Sequence, residues 1–361
     1  MKSVIGKNIT LSLYGESHGS AIGVVVDGLP TGIKVDTDFM AQQLDKRKPK
    51  GKISTQRQEK DEFAITSGVF NGYTCGTPIH ITMENKAQHS GDYQPQFPRP
   101  GHADYAAHVK YSGFEDYRGG GHFSGRLTAP IVAAGAIAID ILRSKGITIG
   151  THIKKCQHIT DRDFENFAED IALCNSKYFA TLDKTAGENM QQHIEAAGAD
   201  CDSVGGILET CVLGMPAGVG EPYFNSIESV LSHYIFSIGG VKGIEFGKGF
   251  GFADLFGSQA NDAFEMQDGR IITKTNNNGG INGGISNGMP LIFRVAVKPT
   301  PSIFKEQNTV NLETMENTVL SIKGRHDPAI FHRARVVVDS MAALALLDLF
   351  VQRYGERWLA E

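Results

Sequence analysis

Arg118-Gly119-Gly120-Gly121-His122-Phe123-Ser124-Gly125-Arg126-Leu127-Thr128 runs without a break into an apolar segment that ends near Lys145-Gly146, and Ile147-Thr148-Ile149 follows. The reading of this stretch decides the fold class. The glycines mark a loop that can approach a ligand closely. From Thr128 onward, Ile131, Val132, Ile137, Ile139 and Leu142 recur at helical spacing. Pro130 is tolerated in a first turn, and Gly146 suits a C-terminal cap. Ile147-Thr148-Ile149 then resumes as a strand. Loop, helix and strand in succession indicate an α/β protein. The junction also has a chemical meaning, because free N–H groups and the helix dipole at a helix N-terminus attract anions. Arg118 and Arg126 add charge and a planar fork suited to phosphate or carboxylate. The stretch is not a G-x-x-x-x-G-K-[ST] loop, and no G-x-G-x-x-G fingerprint accompanies it, which disfavours ATP use and a Rossmann dinucleotide site.

Upstream, Ile9, Leu11 and Leu13 alternate with polar residues and Ile22-Gly23-Val24-Val25-Val26 follows, predicting two strands. Asp36-Thr37-Asp38 offers N-caps for a short helix carrying Phe39, Met40 and Leu44. Residues 63–84 read as strands broken by glycines. Downstream, helices are predicted over 184–197, 226–236 and 340–353, and strands over 205–213, 243–252, 269–275 and 290–298. Residues 276–288, rich in Asn and Gly, fit no regular element and read either as a flexible surface loop or as an ordered ligand cradle. No linker, charge block or repeat divides the chain, so residues 1–361 are read as one intertwined α/β domain.

The totals bound the function. Glycine reaches 42 of 361 residues, against roughly 7% in average usage. A net charge of −5 argues against a nucleic-acid binder, whose usual footprint is a basic face. Five cysteines, odd in number and without a C-x-x-C pair, argue against a disulfide framework or structural zinc. Each reads as a buried apolar side chain. No apolar signal core opens the chain and no uninterrupted apolar run has membrane-span length, so no membrane is expected and the cytoplasm is the expected compartment.

Three stretches set a histidine among small, acidic or basic neighbours: Gly15-Glu16-Ser17-His18-Gly19, Arg99-Pro100-Gly101-His102-Ala103-Asp104 and Gly324-Arg325-His326-Asp327-Pro328. Imidazole titrates nearest neutrality, and an Asp beside basic groups can orient it or accept a proton. Lys46-Arg47-Lys48-Pro49-Lys50-Gly51-Lys52 packs five cations into seven residues. It reads equally as a solvated helix end or as a patch that recruits a polyanionic small molecule. Lys298-Pro299-Thr300-Pro301-Ser302 follows an apolar strand and is stiffened by two prolines. The serine hydrolase order and H-E-x-x-H are absent, so serine hydrolases and zinc enzymes fall away.

Taken together, these segments resemble the chorismate synthase family over essentially the whole chain. Residues 15–19 through Val26-Asp27-Gly28-Leu29-Pro30 resemble its first signature, and the stretches 99–105, 118–128, 298–302 and 324–328 match later ones in the same order. The resemblance implies a single-domain β-α-β sandwich, helices flanking sheets and not Rossmann, assembled as a homotetramer. It implies a monofunctional lyase of the shikimate pathway that converts 5-enolpyruvylshikimate-3-phosphate to chorismate and phosphate by 1,4-anti elimination. The step needs reduced FMN but involves no net redox change. A chain of this length resembles members that lack insertions for reducing their own flavin, so NADPH acts indirectly, through an external flavin reductase.

By position, the resemblance places His18 near the leaving phosphate with Ser17 beside it, His102 against the flavin ring, and Asp327 near flavin N5. Arg47, Arg126 and Arg333 match positions that bind the substrate's anionic groups. Arg47 with Lys52 also matches a nicotinamide-nucleotide site. His122, Phe123, Ser124, Gly239, Gly240, Gly283, Lys298, Pro299, Thr300, Pro301, Ser302 and Arg325 match FMN-binding positions. His122-Phe123-Ser124 stands where relatives commonly carry Arg-Ser-Ser, Asp339-Ser340 where Glu-Ala is usual, and Lys46, Lys48 and Lys52 where Arg is common. Lysine cannot reproduce the arginine fork. Two other readings remain open on the residues alone: an FMN reductase whose basic clusters hold NADPH, and a non-catalytic anion-binding module.

Overall fold

The computed structural model describes residues 3–54, 61–86, 94–322 and 327–361. Alternation at residues 9–13 and 22–26 folds as the strands Thr10–Gly15 and Ala21–Asp27, antiparallel with Leu11 opposite Val26. They belong to a five-stranded antiparallel sheet in the order Val4–Ile5, Thr10–Gly15, Ala21–Asp27, Ile79–Glu84, Ala64–Ser67. A second five-stranded antiparallel sheet runs Val241–Phe246, Leu291–Val297, Gly206–Leu213, Thr148–Cys156, Ile159–Thr160. Leu291, Phe293, Val295 and Val297 are buried and alternate with partly exposed neighbours, the period of two that puts one face of a sheet on a core.

Two long helices fill the space between the sheets. The central helix, Thr128–Ser144, packs on the first sheet, and the C-terminal helix, Phe331–Tyr354, packs on the second and on the central helix. Both are apolar around most of their circumference, as a helix covered on all sides must be. The architecture is a β-α-β sandwich, with the helices between the sheets rather than outside them. One buried apolar cluster runs through all the layers. The run Arg118–Ser144 is long and apolar enough to cross a membrane by length and composition, yet 72% of its most apolar window is buried inside the fold.

The two helices touch almost backbone to backbone. A Cβ on Gly135 would lie 2.2 Å from Ser340 Cβ and 2.7 Å from its Cα. The Ser340 hydroxyl is turned back onto its own helix, donating to the Val336 carbonyl at 2.7 Å. The helix N-termini sit on the same side of this crossing: Arg47 donates to the Gly125 carbonyl at 3.4 Å, and Arg333 donates to the Arg47 carbonyl at 2.8 Å. The crossing therefore sets how far apart the two N-termini stand.

Several expectations need correction. The C-terminal helix begins at Phe331, nine residues before the sequence pattern predicts, because His332 and Arg335 are charged-type residues that the fold buries. The terminal nitrogens of Arg335 donate to the carbonyls of Thr151, Cys174 and Lys177. Over 243–252, the strand stops at Phe246 and a 3₁₀ turn, Gly249–Asp254, follows. Residues 276–288 hold a small hairpin, Ile281–Asn282 with Ile285–Ser286, and are pinned by Asp262, which accepts from the backbone of Asn277 and Asn278 at 2.7 and 2.9 Å. The helices Asp104–Tyr111 and Phe167–Ser176 and the hairpin of Gln307–Asn311 with Glu316–Leu320 were not anticipated, since few of their residues are buried. All five cysteines are free, but Cys75 and Cys201 are exposed.

Gly135→Val is expected to destabilise the fold by about 1–3 kcal/mol, the usual range for overpacking, despite valine's better helix propensity. Urea melts measure it, and Ser340→Gly in the same chain is expected to recover part of the loss.

Candidate active site

The loop after the first long strand carries Ser17 and His18, both buried. Ser17 N–H donates to the Gly121 carbonyl at 3.0 Å, so the glycine-rich loop lies across it. Gly119 has φ +61°, and a Cβ there would meet His18 Nε2 at 2.6 Å and Ser17 Oγ at 2.8 Å. Only glycine fits over this imidazole.

From that loop an unbroken chain of polar contacts crosses the molecule. Asn85 donates from Nδ2 to the carbonyls of Glu16 and Gly19 at 3.1 and 3.0 Å, on either side of His18. Its Oδ1 accepts from Arg126 Nε at 3.2 Å. Arg126 Nη1 donates to Asp61 Oδ1, and Arg47 Nη2 donates to Asp61 Oδ2 at 2.9 Å. Arg333 Nε donates to the Arg47 carbonyl at 2.8 Å, and its Nη1 donates to Asp327 Oδ2 at 2.6 Å. Burial opposes ionisation of Asp61, but the guanidiniums of Arg47 and Arg126 outweigh it and hold the carboxyl below its usual range.

Asp327 also lines a cleft of about 330 Å³ together with Lys52, Ser54 and Ser302. Ser302 Oγ lies 2.8 Å from His102 Nε2, and Lys298 Nζ donates to the Gly101 carbonyl at 2.5 Å. The His102 loop is closed by Arg99, whose Nε and Nη2 donate to the two Asp104 oxygens at 2.7 and 2.8 Å. Burial and the nearby Arg99 push His102 down to about 4, with Asp104 countering only in part. Its imidazole is neutral near neutral pH. Among the described residues, Ser17 Oγ, Arg47 Nε, His102 Nδ1 and Thr300 Oγ1 are buried without a hydrogen-bond partner. Buried polar atoms are normally paired. These four belong to the loops and the arginine just described; Glu115, Glu228, Tyr234, Gln307, His332 and Arg335 carry the other such atoms among the described residues.

A family model described as chorismate synthase matches residues 9–351. The chain belongs to the chorismate synthase family. It is 45% identical over 350 residues to the chorismate synthase of Thermococcus gammatolerans, covering 96% of this chain and 97% of that one. With the chorismate synthase of Lachnospira eligens it shares 48% identity over 358 residues, covering 98% and 96%. A solved structure titled "Crystal Structure of Chorismate Synthase" superposes with a TM-score of 0.75 at 26% identity, covering 97% and 94%. The protein is accordingly a lyase of the shikimate pathway, converting 5-enolpyruvylshikimate-3-phosphate to chorismate and phosphate without net redox change. The chorismate synthase family uses reduced flavin.

Among the residues singled out from the sequence, Ser17, His18, Arg47, Arg126, Arg333 and Asp327 are linked by the contacts above. His102, Lys298, Pro301 and Ser302 form the adjoining wall, with Pro301 packed under Gly101. Gly240 abuts them, its carbonyl accepting from Lys298 N–H at 2.9 Å, and Gly239 precedes it. Pro299 packs against Gly205. The side chains at 122–124 have internal partners. His122 Nδ1 donates to the Gly15 carbonyl at 2.8 Å, which fixes that tautomer, and Nε2 lies 3.0 Å from Ser3 Oγ. Phe123 is half-exposed against Tyr111, and Ser124 Oγ accepts from Arg126 N–H at 3.3 Å. Gly283 stands apart: its neighbour Gly284 accepts from Ile227 at the start of the helix Ile227–Phe236, whereas Gly239 follows the other end. A ten-residue helix separates them by roughly 15 Å. Arg325 and His326 lie outside the described residues.

Sequence reasoning missed Asp61 and Asn85, which sit in charged or polar surroundings with no local signal; their partners are 14 to 69 residues away. It also missed a trio beside Arg333, of which Ser54 and His332 are buried and Tyr178 partly so. His332 Nε2 lies 2.9 Å from Ser54 Oγ and 3.4 Å from the Tyr178 hydroxyl. Burial first, then Arg333 and Arg335, push His332 from 6.5 down to about 3. The unfolded chain therefore takes up a proton that the folded one refuses, and stability falls as pH drops from 6.5 towards about 3. In urea melts across that window, His332→Gln is expected to lose less stability on acidification than the native chain. Parallel loss in both would show that His332 does not carry the effect.

Proposed function

We propose that the loop 15–19, the glycine-rich loop 119–121 and the arginines Arg47, Arg126 and Arg333 receive the substrate's carboxylates and phosphate. The supporting observation is the continuous set of contacts from the His18 loop, through three guanidiniums, to Asp327. Desolvating a phosphorylated dicarboxylate demands fixed cations and donors, and this set supplies them together with the orphaned Ser17 hydroxyl. An elimination needs an acid where the leaving group departs and a base where the proton departs. His18 donates to the departing phosphate as general acid, and Asp327, at the far end of the set, assists removal of the substrate proton.

The cofactor in this reading is reduced FMN, held against His102 by Gly239, Gly240 and the run Lys298, Pro299, Thr300, Pro301 and Ser302. When bound, it supplies electron density reversibly, which suits a reaction without net redox change. The orphaned His102 Nδ1 and Thr300 Oγ1 fit such a ligand, because a neutral imidazole can donate or accept there and a hydroxyl can pair with a polar ring or chain. Lys298 brings a positive charge beside them. His122, Phe123 and Ser124 take a smaller share, since their nearest partners are internal, as does Gly283, which stands apart from Gly239, and Arg325 completes the set. Reduced flavin comes from an external, NADPH-dependent reductase, with Arg47 and Lys52 as the remaining nucleotide contacts.

The chain acts in the cytoplasm as a single domain and as a homotetramer. Exposed Phe250, Phe256, Phe264 and Met266 support self-association, since apolar surface of that kind usually meets a partner.

An anaerobic assay with chemically reduced FMN and no NADPH tests the reading. Chorismate and phosphate are expected in equal amounts, and a requirement for NADPH would sink the monofunctional assignment. His18→Ala is expected to lower kcat by about 100-fold or more, the range of a lost general acid, while leaving flavin affinity nearly unchanged. A loss of flavin affinity as large as the loss of turnover would overturn that role.

A further inference from the structure

We propose that Asp61 is a positioning residue for the substrate, the carboxylate that fixes Arg47 and Arg126 as one receptor. The proposal rests on the reading that these arginines bind the substrate's anionic groups. Asp61 is the most buried of the three, with side-chain exposures of 9% for Arg47, 1% for Asp61 and 7% for Arg126. Each of its oxygens serves one guanidinium, Oδ2 for Arg47 and Oδ1 for Arg126. The two guanidiniums hold the carboxyl in its ionised form and occupy the faces of both oxygens that point to the arginines, so its part here is to aim them rather than to take a proton.

Two guanidiniums this deeply buried repel each other unless a carboxylate sits between them. With Asp61 in place, two positive charges and one negative leave one unit of charge for the ligand, held in fixed positions. The backbone at Asp61 has φ +46°, a left-handed conformation that few residues other than Gly, Asn and Asp adopt. Aspartate tolerates this conformation better than most residues, so the same side chain suits both the turn and the paired ion contacts. The remaining bonds of Arg47 are weak: its Nη1 reaches the Gly125 carbonyl and Thr128 Oγ1 only at 3.4 Å, and its Nε is unpartnered among the described residues. Asp61 is thus the strong contact that aims Arg47. Through Arg126 its hold reaches further, since Arg126 grips Asn85 and Asn85 grips the carbonyls on both sides of His18. Losing Asp61 should loosen substrate binding first and the chemical step second.

The test uses the full chain with reduced FMN under anaerobic conditions. Asp61→Asn is expected to raise KM for 5-enolpyruvylshikimate-3-phosphate by about tenfold or more, in keeping with loss of a buried charge pair, with a smaller fall in kcat. Flavin affinity is expected to stay within about threefold, because the change lies in the substrate receptor. Arg126→Lys should raise KM strongly in the native background and add little in D61N, since coupled residues are non-additive. Additive effects, or a KM in D61N at or below the native value while Arg126→Lys raises it, would overturn the role of Asp61. If Arg126→Lys and Arg47→Lys also leave KM unchanged, the substrate-site reading itself fails. Should D61N not fold, Asp61→Glu carries the test: the longer carboxylate displaces both guanidiniums, so KM rises while kcat holds, and a native KM overturns the proposal.

Discussion

The site depends on how closely two apolar helices approach. Gly135 and Ser340 let the central and C-terminal helices cross with only the small serine side chain between them. Both helices deliver functional groups from their N-terminal ends, Arg126 just before one and Arg333 in the first turn of the other. A wider crossing would part these ends and stretch the bridge through Arg47, which touches Gly125 on one side and receives Arg333 on the other. Packing in the middle of the molecule thus becomes geometry at its edge. Close-packed interiors transmit displacement in this way because they have no slack to absorb it.

Charge is the second constraint. The chain carries an overall negative balance, yet it gathers Arg47, Arg126 and Arg333 in one connected set, where we propose the anionic substrate is received. Arg47 and Arg126 are tolerated there because Asp61 offsets part of their charge and backbone carbonyls and Asn85 take some of the remaining donors. The same device appears on the outer face of the second sheet. His152 is fully buried between Asp161 and Glu209, and although burial disfavours its charged form, the two carboxylates raise its pKa. Arg294 joins Glu209 to Glu245 beside it. In both places a buried ion persists because a partner of opposite charge is built into a neighbouring element.

Much of the fold was legible because it follows local rules. The central helix shows its period, its proline and its terminal glycine, and Asp36 caps the helix Thr37–Arg47 by accepting from Phe39 N–H at 2.9 Å. The first turns of the C-terminal helix were not legible, since His332 and Arg335 look solvent-facing until Ser54, Tyr178 and the carbonyls of Thr151, Cys174 and Lys177 surround them. The site divided along the same line. His18, His102 and Asp327 stand in short stretches dense in glycine and charge, which a sequence displays. Asp61 and Asn85 act only through partners brought in from distant elements, which periodicity and local composition do not encode. The packing at Gly135 is silent for the same reason: a glycine inside a helix reads as a weakness until the helix it faces is known.

A crystal structure of the chain with FMN and 5-enolpyruvylshikimate-3-phosphate bound tests the central claim most directly. The account predicts the substrate's phosphate within hydrogen-bond distance of His18, its anionic groups against Arg47, Arg126 and Arg333, and the flavin beside His102 Nδ1. A substrate seated elsewhere, with those arginines still closed on their own partners and His18 remote from the phosphate, would contradict it.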